Sequence, residues 1–305
     1  MPERLPSWPP LPLDEWQATR DTLQLWTQIV GKVRLANEPL ANHWWNVTLY
    51  LTARGFTTSV MPHRTGPDFQ VDFDFLRHRL DIATTTGDSR SLVLGHRSVS
   101  DFYGEFIQRL DELGVGTPIW PVPVELADAI PFPDDEIHAA YVPEQAQRFW
   151  LALLNVERVF KDFRSRYVGK VSPVHLFWGA LDLAVSRFSG RSAPEHPGGA
   201  PNCGPHVMHE AYSKEVSSAA YWPGGGGEGV FYSYAYPEPH GYRDFETHAR
   251  YDEELGEYVL PYADVRTSAD PDALLLEFLE RTYLAAAISA GWDRDALERD
   301  TAGPV

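Results

Sequence analysis

Two stretches of the chain follow one plan, and that plan narrows the folds open to it. From Val30 the sequence reads VGKVRLANEPLANHWWNVTLYLTARG, and from Val168 it reads VGKVSPVHLFWGALDLAVSRFSG. Each passes from a helix-like segment through Gly-Lys to a histidine, His43 or His175, then to an aromatic-led strand and an arginine. In the first copy Trp45, Val47, Leu49, Leu51 and Ala53 alternate with Asn46, Thr48, Tyr50, Thr52 and Arg54. Strict period-two alternation predicts a strand with one buried face, and hence an antiparallel sheet covered on one side only. DFQVDFDF repeats the pattern, with Phe69, Val71, Phe73 and Phe75 set against Asp68, Gln70, Asp72 and Asp74.

The flanking segments complete two matching halves. Trp16, Leu23, Trp26 and Val30 predict a helix from Asp14 that stops at Gly31. HRLDIATTTGDSRSLVLG reads as a hairpin turning near Gly87 and Asp88. Ser98 and Asp101 form a capping-box-like start for a helix carrying Phe102, Phe106, Leu110 and Leu113, ended by Gly114. In the second half Phe149, Leu153, Val156, Phe160, Phe163 and Tyr167 predict a helix from Pro143 to Gly169. A strand from Phe177 to Val185, an irregular excursion from Ser189 to Gly229, strands in VFYSYAYP and GEYVLPY, and a helix opened by Asp270-Pro271 follow.

The expected fold is therefore α+β: two duplicated helix–four-strand–helix halves related by a pseudo-two-fold, largely antiparallel, with helices on one face. Chance is the competing explanation, because VGKV is short and helix-then-sheet order is common. The boundaries read as an extended arm at 1–13, a first repeat at 14–126, a Pro-rich linker at 127–143, a second repeat at 144–292 with its insertion at 189–229, and a tail at 293–305. Trp8 would anchor the arm, and a short strand near Val122 to Glu125 is expected.

Charge and cysteine content then restrict partners. A formal charge of −17 repels phosphate backbones and anionic membranes, which argues against nucleic acid and membrane as partners. The single cysteine, Cys203, cannot pair within the chain and fits a reducing compartment. MPERLPSWPPLPLDEW lacks the cationic start and apolar run of a signal peptide, and no apolar run approaches the length of a membrane span. The expectation is a cytoplasmic protein.

The run SPVHLFWGALDLAVSRFSGR, with HPGG, EAYSKEVSSAAYWPGG, YSYAYPEP, WTQIVGKVRLA, NHWW and LPYADVRTSADPDALLLEFL, resembles an uncharacterised bacterial domain-of-unknown-function family, number 5996. The likeness extends over most of the chain. It implies a bacterial protein and carries no assigned reaction. It also implies a histidine where this chain has Lys214, so position 214 is not read as a metal ligand, and HVMHE at 206–210 is peculiar to this sequence.

Candidate chemistry concentrates in the second half. Asp182 in a strand is either a general base with raised proton affinity or the partner of Arg187 or Arg191. Those two arginines, around a Ser-Gly bend, either anchor an anionic substrate group or pair with surface acids. His43 and His175 stand at equivalent strand entrances, as acid–base groups or as caps of backbone carbonyls. His196, Glu210 and Glu215 complete the acid–base candidates, and Tyr212 and Trp222 supply binding walls. His206, His209 and Glu210 could share a metal only by importing a third ligand, and Cys203 lacks a definable catalytic partner, so no metal ligand is assigned and the cofactor is left unknown. Lys32 and Lys170 read as cations at helix C-termini, and PGGGGEG at 223–229 as a hinge or lid.

The expected function is binding of a small polar molecule, with acid–base chemistry of unknown reaction in a cleft lined by the second half. A non-catalytic binding or sensing protein and a protein-interaction scaffold are the alternatives. The oligomeric state is not legible.

Overall fold

The computed structural model describes residues 8–245, 247 and 249–299. Parts of the expected arm (1–7) and tail (300–305) lie outside them. The first helix, α1 (Leu13–Asn37), has every residue from Thr22 to Arg34 buried. A helix enclosed on all sides must satisfy its polar side chains internally. Gln24 and Gln28 donate to the Gly179 carbonyl, at 2.6 and 2.9 Å, and Arg34 donates to the Asn46 carbonyl at 2.8 Å.

The helix does not stop at Gly31. That glycine lies in its middle because the indole of Trp178 packs on it, and a Cβ there would overlap the ring. Trp178 is buried and held by its Nε1–H on the Val47 carbonyl at 2.6 Å, so it cannot swing away freely. Gly31→Ala is expected to cost ~1–3 kcal/mol through overpacking, although glycine to alanine within a helix ordinarily gains ~1 kcal/mol. Urea denaturation decides the sign.

A meander follows: β1 (Tyr50–Leu51), β2 (Gly55–Thr57), β3 (Phe69–Asp74), β4 (Arg79–Thr84) and β5 (Ser89–Val93), closed by α2 (Val99–Glu112). Of residues 45–54, expected as one strand, only Tyr50–Leu51 is strand; residues 45–48 are turn and irregular chain that follow a 3-10 turn at Asn42–Trp44, where His43 and Trp44 take positive φ. The Ser98 side chain caps α2 as expected, accepting from the Asp101 N–H at 3.0 Å. Residues 115–142 contain no strand but are packed, with Phe132 and Tyr141 buried.

The second half begins with α3 (Pro143–Ser165), which ends short of Gly169. Then come β6 (His175–Phe177), β7 (Asp182–Ser192), α4 (Pro205–Ala211), β8 (Lys214–Trp222), β9 (Val230–Tyr236), β10 (Arg250–Asp252) and β11 (Glu257–Pro261). Helices α5 (Tyr262–Thr267), α6 (Pro271–Ser289) and α7 (Arg294–Leu297) complete the chain. The excursion expected at 189–229 contains the end of β7, all of β8 and the short α4. Its glycine run makes the β8–β9 turn, where the Gly227 carbonyl receives the Leu13 N–H at the start of α1.

The strands form two antiparallel sheets, of five strands ordered β1-β2-β3-β4-β5 and of six ordered β10-β11-β9-β8-β7-β6. The inner edges meet at one point, where Leu49 and Leu176 exchange both backbone hydrogen bonds, at 2.9 and 2.8 Å. Helix α3 serves both sheets: Phe149 packs on Phe56 of the first, and Phe163 receives Arg187 from the second. The α+β class and antiparallel sheets are as expected. Strand counts of five and six replace the expected four per half: β2 and β10, of three residues each, are too short to show an alternation, and β8 is buried continuously from Val216 to Tyr221.

Candidate functional site

Strand register assigns the second sheet two different faces. Leu183, Val185 and Arg187 share one, and Arg187 places that face against the helices. On the other face Ala184, Ala220, Tyr232 and Val259 form one cross-strand row, and Ser186, Ser218 and Tyr234 another. Asp182 opens the same face two residues before Ala184. Polar and aromatic residues dominate it, unlike the apolar face beneath the helices.

At the Asp182 end of this face lies a cavity of about 190 Å³, lined by Ala180, Asp182, Trp222, Val230, Tyr232, Leu255 and Glu257. The Tyr232 hydroxyl donates to Asp182 Oδ2 at 2.9 Å, while Asp182 Oδ1 is buried without a partner. Burial and then the charge of Glu125 push the Asp182 carboxyl up to about 8, against the opposing Tyr232 bond. Burial and the charge of Asp252 bring Glu257 up to about 7. Glu125 arrives from the 115–142 segment, strapped to the 200–203 loop by its N–H on the Pro201 carbonyl at 2.8 Å. Its carboxyl reaches Gly179, where any side chain would overlap it, and the surrounding protein raises its pKa also.

Among the described residues none of these three carboxyls has an Arg or Lys partner. Elsewhere acids of the chain are matched: Glu215 with Arg191 at 2.6 Å, Glu228 with Arg266 at 2.7 Å, Asp74 with Arg54 at 2.6 Å. Removing water from a carboxyl without supplying a counter-charge favours the protonated form. At neutral pH Asp182 therefore holds its proton, and Glu257 sits close to its midpoint.

The residues singled out from the sequence are divided among several places. Asp182 and Trp222 line this cavity. Tyr212 and His196 stand beside it: Tyr212 shares a 3.0 Å hydroxyl bond with Tyr234 and stacks on the His196 ring at 4.5 Å. Burial lowers the His196 pKa, and its Nδ1 accepts from the Gly198 N–H at 3.0 Å. His175 is buried with Nδ1 3.3 Å from the Thr48 hydroxyl, and burial and Arg34 take its pKa down to about 3, so it is neutral. Glu210 accepts from the His43 backbone N–H at 2.9 Å.

Arg187 is not a surface anchor. It is 1 % exposed, donates to the Phe163 carbonyl, pairs with Glu280 at 3.4 Å, and lies 3.4 Å from the centre of the Phe163 ring. Its place on the helix-facing side of β7 turns it away from Asp182, which pairs with neither arginine. Arg191 and Glu215 line a separate cavity of about 300 Å³ with Tyr236 and Trp292, and Arg191 also caps α6 through the Ala290 carbonyl at 2.7 Å.

Among the described residues no three His, Cys, Asp or Glu side chains converge as metal ligands. Burial raises the half-buried Cys203 thiol, the reverse of what an activated nucleophile needs. Lys32 is not a helix-terminal cation: it lies within α1, its ammonium 4.8 Å from the Trp120 ring centre, and burial lowers its pKa to about 8.

The sequence reading missed Glu125, Tyr232 and Glu257. Tyr232, Tyr234 and Tyr236 alternate in VFYSYAYP, which was signal enough for an aromatic strand face. Nothing local marks Glu125, which reaches the site only by tertiary folding.

The chain belongs to a family of unknown function (DUF5996), whose sequence profile matches residues 8–299. No curated protein and no solved structure matches it.

Proposed function

We propose that this family member binds a small, amine-bearing molecule in the Asp182 cavity and exchanges protons with it. The observation that carries the reading is a pair of carboxyls, Asp182 and Glu257, lining an aromatic-walled cavity without a protein counter-charge, with Glu125 near enough for its charge to raise Asp182 further. A bound ammonium would supply that charge, with Trp222 and Tyr232 as cation-accepting ring faces. A volume of about 190 Å³ is below the ~300–1,000 Å³ of sites for drug-sized ligands, so the molecule is small. Asp182, held above neutrality, and Glu257, held close to it, fit general acid and base roles.

A second reading, binding without catalysis, is favoured by the Tyr232–Asp182 bond, which occupies one carboxyl oxygen with a phenol that does not itself titrate near neutrality. Chemical change in the bound molecule separates the two. The lone cysteine fits a cytoplasmic protein and the charge of −17 one that does not bind nucleic acid, while a bacterial origin is what the family resemblance implies.

The test uses thermal shift at pH 8 with small primary amines from ethylamine to benzylamine, and alcohols and carboxylates of matching size. Amines are expected to raise the Tm, and Asp182→Asn to abolish the effect. Stabilisation by the alcohols or carboxylates instead would defeat the proposal.

A further inference from the structure

The chain has four lysines, Lys32, Lys161, Lys170 and Lys214, and the third is held unlike an ordinary surface cation. Its backbone is fixed by the Phe188 N–H on the Lys170 carbonyl at 3.0 Å. Its Nζ donates to His43 Nε2 at 2.6 Å and lies 5.3 and 5.1 Å from the ring centres of Trp45 and Phe188. No acid among the described residues pairs with it, whereas Lys161 holds Glu157 at 2.9 Å.

His43 is set up to accept a proton at one nitrogen. Its Nδ1–H donates to the Ala211 carbonyl at 2.8 Å, which fixes the tautomer and leaves the Nε2 lone pair for Lys170. The ring is buried and stacked on Phe188 at 4.3 Å, and the residue holds a φ of 58°, a conformation that a non-glycine residue adopts at a cost. Burial lowers the pKa of both groups, the Lys214 charge lowers Lys170 further, and Glu210 opposes it.

We propose that Lys170 is a nucleophilic amine that condenses with a small aldehyde or ketone, with His43 as its proton acceptor. The ammonium passes a proton to His43 Nε2, and the freed amine nitrogen attacks the carbonyl carbon as the C–O π pair moves to oxygen. Proton transfers give the carbinolamine. His43 then returns its proton to the departing hydroxyl, which leaves as water, and the nitrogen lone pair forms the C=N bond. Ammonium plus carbonyl becomes protonated imine plus water, with no oxidant or reductant. None of these residues lines the Asp182 cavity, so the inference stands apart from the function proposed above.

The test is competitive reductive alkylation of the folded full chain with propanal and cyanoborohydride, followed by peptide mass spectrometry. Lys170 is expected to label about tenfold faster than the exposed Lys161, and His43→Gln, shown by circular dichroism to be folded, to bring it down to the Lys161 rate. Labelling of Lys170 no faster than Lys161 in the unmodified protein overturns the proposal, whether or not the variant folds. Fast labelling that persists in a folded His43→Gln protein overturns the role given to His43.

Discussion

Asp182→Asn is expected to remove most of a loss of stability that the parent protein suffers as pH rises from about 5 to about 9. The Asp182 carboxyl is held at about 8 in the fold, and in the unfolded chain it returns to about 3.9. Between those values the native state binds the extra proton, so stability falls with rising pH. The contribution is complete below about pH 4 and gone once the pH has passed through 8. Its size is on the order of a few kcal/mol. Glu257, at about 7, adds a smaller term of the same sign, which the variant retains. Asparagine cannot ionise, so the variant should overtake the parent in alkaline solution. Urea denaturation of both proteins at pH 5, 7 and 9 reads the difference directly. Parallel curves would mean that Asp182 titrates as an ordinary surface carboxyl.

Arg187→Ala is expected to lower stability by ~3–5 kcal/mol, the usual cost of removing one partner from a buried ion pair. For a chain of this size that corresponds to a Tm lower by roughly 5–15 °C. Three aromatic rings lose their cation at once: Phe163, Tyr283 and Tyr167, with centres 3.4, 4.4 and 5.1 Å from the guanidinium carbon. Arg187→Met keeps much of the volume, and Glu280, a quarter exposed, can turn to solvent, so it should cost less than half as much. An Arg187→Ala protein of unchanged Tm would contradict the core role and return this residue to the candidate ligand contacts.

How far the sequence showed all this depends on the range of the interactions involved. Alternation in DFQVDFDF, capping by Ser98 and the apolar stripe from Phe149 to Phe163 are local signals, and each produced the expected element. Gly31 misled because its reason is Trp178, which arrives from the other half of the chain and needs a position without a Cβ. Arg187 looked like a substrate anchor because periodicity cannot say which face of a strand meets the helices. The same limit hid Glu125, whose neighbours Gly179 and Pro201 are brought to it only by folding. Both halves run from a helix through an antiparallel sheet to a helix, but only the first sheet is a simple meander, since in the second β11 pairs with β9 and β10 lies outside it. We retain descent from a duplicated unit as a proposal, to be tested by superposing 14–114 on 145–290.

The most direct test of the account is the Asp182 carboxyl itself, followed by carbon-13 NMR in protein labelled at aspartate and assigned by its disappearance in Asp182→Asn. A midpoint near pH 8, moving downward when a small amine is added, is the predicted result. A midpoint near 4 that ignores the amine would contradict it.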